Sequence, residues 1–232
     1  MSTSHRAGGF SLVELSIVVL LIGLLAGGVF AGKNLIDGAR MQNVANDFLK
    51  LKSAIANFTE VQHYYPGDFP DASKDWGAAD GNGDWMISTA ESAHVMNHLH
   101  DAGDVETAYA GGGALTPGQN LMAAAVKPAA YWTHTHTSAI QGKTGEAIDL
   151  AARGAGSSVL EDGALTPDRA YALDVKIDDG SPVAGDLYAS KGAAPGAEDC
   201  LDAASPPVYL PNADVPSCRM HLWISHGSRL AP

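Results

Sequence analysis

Residues Phe10 to Phe30 form an unbroken apolar run, FSLVELSIVVLLIGLLAGGVF, whose one charge is Glu14. From Leu15 to Gly32 there is no charge at all, and Lys33 ends the run. At about 1.5 Å per residue, such a helix spans the roughly 30 Å hydrocarbon layer of a bilayer. A buried core helix is the competing reading, but such helices are shorter and apolar along one stripe. The run therefore reads as a membrane span. Glu14 within it is costly to place in lipid, which makes it a functional residue by default; a helix-start acid facing the dipole is the plainer account.

The residues before the span are short and polar, with Gly8 and Gly9 directly ahead of Phe10. A secretory signal would place its small-residue cleavage site after the apolar run. Here the small residues precede it. A cut between Gly9 and Phe10 would give Phe10 a new α-ammonium, with Glu14 one helical turn away on the same face. That carboxylate would then balance the ammonium in its own chain or in a neighbour, where an unpaired charge is expensive.

The stretch Gly9-Phe10-Ser11-Leu12-Val13-Glu14, followed by the apolar run, closely resembles the N-terminal signal of the type IV pilin superfamily. That superfamily takes in type IV pilins, competence pilins and type II secretion pseudopilins. The resemblance implies cleavage after Gly9 by a prepilin peptidase and N-methylation of Phe10. It also implies pairing of Glu14 with a neighbouring subunit's N-terminus during assembly. One departure is the lack of a proline midway along the helix; Gly23, Gly27, Gly28 and Gly32 stand there instead. These form two small-xxx-small pairs suited to close helix contact, or simply glycines tolerated in a membrane helix.

Lys33 to His63 reads as the continuation of the helix. Val44, Phe48, Leu51, Ile55 and Phe58 recur at helical spacing on one face, with Lys50, Lys52, Asn57 and Glu60 elsewhere. Tyr64-Tyr65-Pro66-Gly67 stops it. The expected organisation is a cleaved leader over 1–9, a transmembrane or filament-core helix over 10–32, its amphipathic half over 33–63, and a globular head over 64–232. The expected fold class is α+β and pilin-like, a helix of about 80 Å packed on a small antiparallel sheet.

Within the head, the five residues Gly-Ala-Leu-Thr-Pro occur at 113–117 and again at 163–167. Both predict helix starts with Thr as N-cap and Pro at the first position, giving helices over 117–126 and 167–173. Alternating Leu173, Val175 and Ile177, then Asp179-Gly180, predict a hairpin over 171–189. Its acids Asp174, Asp178, Asp179 and Asp186 read as a solvated hairpin end.

The segment DGNGDWMISTAE has the spacing of a calcium loop. Asp80, Asn82, Asp84, the Met86 carbonyl, Ser88 and Glu91 take the ligand positions. Trp85 stands where such a loop wants glycine. The alternative uses the same residues as turn formers, with Ser88 and Glu91 as a capping box. Cys200 and Cys218 resemble the disulfide-bounded C-terminal loop of many pilins, a pairing suited to an oxidising compartment.

Charge and motif content narrow the function. The chain has 232 residues and a formal charge of −12, which argues against a nucleic-acid partner. His94 and His98 have metal spacing on an expected helix, and His134 and His136 form an H-x-H pair, but H-E-x-x-H is absent. They read as surface or packing histidines. Gly142-Lys143-Thr144 lacks the upstream glycine of a phosphate loop, and G-x-S-x-G does not occur. The expectation is a non-enzymatic subunit of a pilin-like filament. Its partners would be the prepilin peptidase/methyltransferase and other pilin or pseudopilin subunits. It would lie in the bacterial inner membrane before assembly and in a periplasmic or cell-surface filament afterwards. A head of 169 residues is bulky for a densely repeated subunit, which favours a minor pilin. The alternatives are a type II secretion pseudopilin and, more distantly, a single-pass anchored periplasmic metal-dependent enzyme.

Overall fold

The computed structural model describes residues 11–153, 159–193, 199–210 and 215–224. The chain divides into two compact units, Met1–Arg40 and Met41–Pro232. Helix α1, Leu12–Gln62, contributes to both. In the first unit its apolar side chains are open, with Leu20 68% and Leu24 71% exposed. Among the described residues, one helix is long and apolar enough to cross a membrane, over Leu12–Val29.

In the second unit, the predicted stripe is the part of α1 that meets the core. Val44, Phe48, Leu51, Ile55 and Phe58 are all buried, joined by Met41, Ala45 and Ala54. Phe48 meets Tyr131 edge-on with ring centroids 5.1 Å apart, a favoured aromatic geometry. The Tyr131 hydroxyl donates to Asp47 Oδ2 at 3.3 Å. Helix α1 ends just ahead of Pro66, as the proline requires, with His63 in the left-handed region (φ 63°).

A six-stranded antiparallel sheet forms the rest of the frame. Its strands are β1 (Met122–Ala123), β2 (Ala130–Ile140), β3 (Lys143–Arg153), β4 (Leu160–Asp162), β5 (Leu187–Lys191) and β6 (Cys218–Trp223). The order is β1-β2-β3-β6-β5, with β4 paired to β3. The fold is therefore mixed α/β, an apolar N-terminal helix plus an antiparallel sheet, consistent with a pilin-like fold. Strands β2 and β3 are joined by Gln141-Gly142, both at positive φ (49° and 84°), which suits the twist of a two-residue hairpin. The Gly142-Lys143-Thr144 stretch is thus the hairpin turn and the start of β3.

Side chains alternate across the sheet, as strand geometry requires. Tyr131, Ile148, Leu150, Met220, Leu222, Leu187 and Ala189 join the α1 side chains in the main core. The opposite face carries Trp132, His134, His136, Asp149, His221 and Ser190. Short helices α2 (Ala72–Asp75) and α3 (Val95–Asp101) and a 3-10 turn at Glu91–Ala93 lie between α1 and the sheet in sequence.

Two expectations for the head are corrected. Residues 171–177 are not a strand: helix α4 runs from Pro167 to Ile177. Leu173 and Val175 sit on different sides of it, one buried and the other 52% exposed. Nor is there a helix over 117–126. The second copy of Gly-Ala-Leu-Thr-Pro does start α4, with Thr166 as N-cap and Pro167 at the first turn. After the first copy comes Gly118, at φ 80°, and the chain folds back instead. The Asn120 side chain then takes the Thr116 N–H at 2.7 Å and donates to the carbonyl of Gly112. The word is the same, but the next residues, Gly-Gln-Asn against Asp-Arg-Ala, decide the outcome.

The Asp cluster of α4 is partly buried rather than a solvated hairpin end. Asp174 is fully buried, and its carboxylate accepts the Tyr209 hydroxyl at 2.7 Å and the Gly180 N–H at 3.2 Å. Asp178 Oδ2 accepts the backbone N–H groups of Asp186 and Leu187. Burial pushes the Asp174 pKa up to about 6, against the pull of these donors. The folded state therefore holds this proton more tightly than the unfolded chain does. The contribution to stability is greatest below about pH 4 and falls as pH rises through about 6. Asp174→Asn is expected to flatten that slope, worth on the order of 2–3 kcal/mol, in urea melts run from pH 4 to 7.

Cys200 and Cys218 form a disulfide. It ties the 199–210 segment to β6, and closing a loop of separation 18 contributes about 3 kcal/mol in the chain-entropy account.

Candidate functional site

The N-terminal signal begins with residues outside the described ones: Gly9 and Phe10, the expected cleavage and methylation positions, both fall there. From Ser11 onward the geometry is defined. The Ser11 N–H donates to Glu14 Oε2 at 2.8 Å, and the Glu14 N–H donates to Ser11 Oγ at 3.2 Å. This is a reciprocal capping box, and it satisfies two backbone donors at the helix N-terminus. Glu14 is thereby aimed back toward the residues ahead of the helix. In the sequence Glu14 is four residues from Phe10, and in the capping box its carboxylate holds the Ser11 N–H.

In the 80–91 loop the expected ligands divide. Asp80 turns to Ser73, accepting its N–H at 2.6 Å and its hydroxyl at 2.7 Å. Asn82 and Asp84 build successive side-chain turns, accepting the N–H groups of Asp84 and Met86, each at 2.9 Å. Glu91 accepts the N–H groups of Asn82 (3.1 Å) and Ser88 (2.9 Å), and Ser88 Oγ accepts the Glu91 N–H at 3.3 Å. Ser88 and Glu91 thus form the capping box that their spacing allowed. Trp85 takes the left-handed conformation, φ 65°, that glycine supplies in a calcium loop.

Asp68 lies before the loop and carries no motif that would single it out. It is fully buried and receives the N–H groups of Asp84 (3.1 Å) and Trp85 (2.8 Å). Burial raises its pKa to about 6, with the charge of Glu91 adding to the effect. Asp80 and Glu91 each accept two protein donors, which leaves acceptor positions open on both carboxylates.

The histidines also divide. His98 is buried; it accepts the Gly67 N–H at Nδ1 (3.0 Å), and its Nε2 meets the Ala79 carbonyl at 2.9 Å. It is a structural cross-link between α3 and the turn after α1. His134 and His136 are neither surface nor simple packing residues. Both reach Asp149, which is fully buried. His134 Nε2 and Arg219 Nη2 each lie 3.1 Å from Oδ2. His136 Nε2 lies 3.0 Å and His221 Nδ1 2.7 Å from Oδ1. Four donors thus fill the four acceptor positions of one carboxylate. Burial opposes its ionisation, yet His221, His134 and His136 hold its pKa well below the usual carboxylate range. Burial lowers the pKa of His221, against the pull of the Asp149 charge, and its Nε2 lies 2.7 Å from the Ser190 hydroxyl oxygen.

The model of the prokaryotic N-terminal methylation motif matches residues 4–30. Match and apolar helix coincide, and they are consistent with a type IV pilin-like protein. The motif indicates a type IV pilin-like or pseudopilin precursor, and it points to a structural protein processed by a prepilin peptidase. The apolar helix carrying it fits membrane anchoring. No curated protein and no solved structure matches the chain.

Proposed function

We propose that this chain is a structural subunit, a minor pilin, of a type IV pilin-like filament. The observation that carries the reading is the methylation motif at 4–30, set on an apolar helix whose side chains are open along Leu12–Val29. Cleavage after Gly9 releases a Phe10 ammonium within a turn of Glu14. In an apolar filament core, that pair joins one subunit's acid to a neighbour's N-terminus. The head over 64–232 is then displayed on the outside. Its 169-residue size and its disulfide suit a sparse subunit outside the cytoplasm.

Glu14→Gln keeps the side-chain shape and removes the charge. A charge-assisted hydrogen bond is worth roughly 1.5–3 kcal/mol, so incorporation into sheared filaments is expected to fall about tenfold or more. The membrane pool of the processed protein should remain. Glu14→Gln protein that enters filaments at the wild-type level would defeat the proposal.

A further inference from the structure

We propose that His134, His136 and Asp149 form a binding site for a divalent transition-metal ion of the zinc class. The ligand atoms of all three lie within 4.8 Å of one another. His134 and His136 are two apart on β2, so both point to the same face of the sheet. Asp149 on β3 pairs with Trp132, one step along that face. Zinc bonds imidazole nitrogen and carboxylate oxygen at roughly 2.0–2.2 Å, which places ligand atoms of one ion a little over 3 Å apart. The 3.0 and 3.1 Å contacts of His136 and His134 with the carboxylate are close to that spacing. Two imidazoles and a carboxylate form a hard-to-borderline set that suits zinc, cobalt or nickel.

The carboxylate is held from behind. Arg219 and His221 bind Asp149, and Ser190 in turn binds His221. Such outer partners fix the orientation of a metal ligand and tune its affinity. The chain Ser190–His221–Asp149 has the connectivity of a nucleophile relay, but the His221 ring is 0% exposed and has no face toward a substrate. It is a positioning residue. His134 and His136 now donate Nε2–H to Asp149. On metal binding each proton moves to Nδ1, and the freed Nε2 lone pairs take the ion in place of two hydrogen bonds. His134 is 14% exposed at its side chain, which gives the ion its entry side. Three protein ligands leave further positions for water.

The test uses the full chain in detergent micelles, stripped with chelator and titrated with zinc chloride, with cobalt chloride as a spectroscopic probe. Wild type and the control His63→Gln should each bind one equivalent of zinc. His134→Gln and His136→Gln should each weaken binding at least ~100-fold, a loss larger than that from an outer partner. Circular dichroism of the metal-free variants checks that the fold is kept. Cobalt bound to wild type should show visible bands of a low-symmetry nitrogen–oxygen site. The proposal is overturned if wild type binds no stoichiometric zinc, or if folded His134→Gln and His136→Gln bind it as tightly as wild type.

Discussion

Asp149→Ala is expected to destabilise the metal-free head by about 3–5 kcal/mol, because the carboxylate is the hub of the second sheet face. Removing it strands the Arg219 guanidinium, 13% exposed at its side chain, beside three imidazoles that lose their common acceptor. A buried charge left without its partner costs more than the pair contributed while intact. Asp149→Asn separates charge from shape: it keeps one acceptor oxygen but not the negative charge opposite Arg219. It should fall between wild type and alanine. Urea denaturation of the full chain in detergent, followed by tryptophan fluorescence, measures both. Trp132 stacks on His134 with centroids 3.9 Å apart and so reports on this face.

Phe48→Ala is the second large effect, at about 3–5 kcal/mol. Phe48 is fully buried where α1 meets the sheet, edge-on to Tyr131. Its loss removes the apolar contact and opens a cavity that the helix backbone cannot close by itself. Leu49, next in sequence but 51% exposed, is the control. Leu49→Ala should change stability by less than about 0.5 kcal/mol. Equal losses at both positions would mean that the buried stripe of α1 has been assigned to the wrong face.

The long helix is legible in the sequence because its two halves carry different and strong patterns. One is an uncharged run long enough for a bilayer, and the other a stripe at 3.6-residue spacing that the structure buries residue for residue. The helix stop at Pro66 is legible for the same reason, a local steric rule. The head is less so. Its sheet depends on pairings distant in sequence, such as Asp149 with His221, which no local pattern announces. Part of the signal is nevertheless present. Thr133, Thr135 and Thr137 alternate with His134 and His136, and Gln141-Gly142 is a hairpin turn, so β2 and β3 have a sequence signature. The strand-like alternation of Leu173, Val175 and Ile177 misleads, because three residues at period two also fit a helix that buries one and exposes another.

The polar sites show the same division. Glu14 and the Ser88–Glu91 capping box are short-range features, and both are readable from spacing. Asp149 is the one acid inside an otherwise apolar stretch of β3, Ala147-Ile148-Asp149-Leu150-Ala151, which marks it as a group needing buried partners. Its partners come from two other strands, β2 and β6, and become visible only once those strands are set on either side of β3. Asp68 escapes a sequence reading because its role is to bind the backbone of a loop sixteen residues away, a function with no sequence signature.

The central claim is that this is a pilin-like precursor trimmed at Gly9, with its new amino group facing Glu14. The most direct measurement is intact-mass and N-terminal peptide mass spectrometry on protein recovered from the native host's envelope. The predicted result is a chain beginning at Phe10 and heavier by one methyl group on its α-amine. Finding the Met1–Gly9 segment still attached to the finished protein, with no methyl on Phe10, would contradict it.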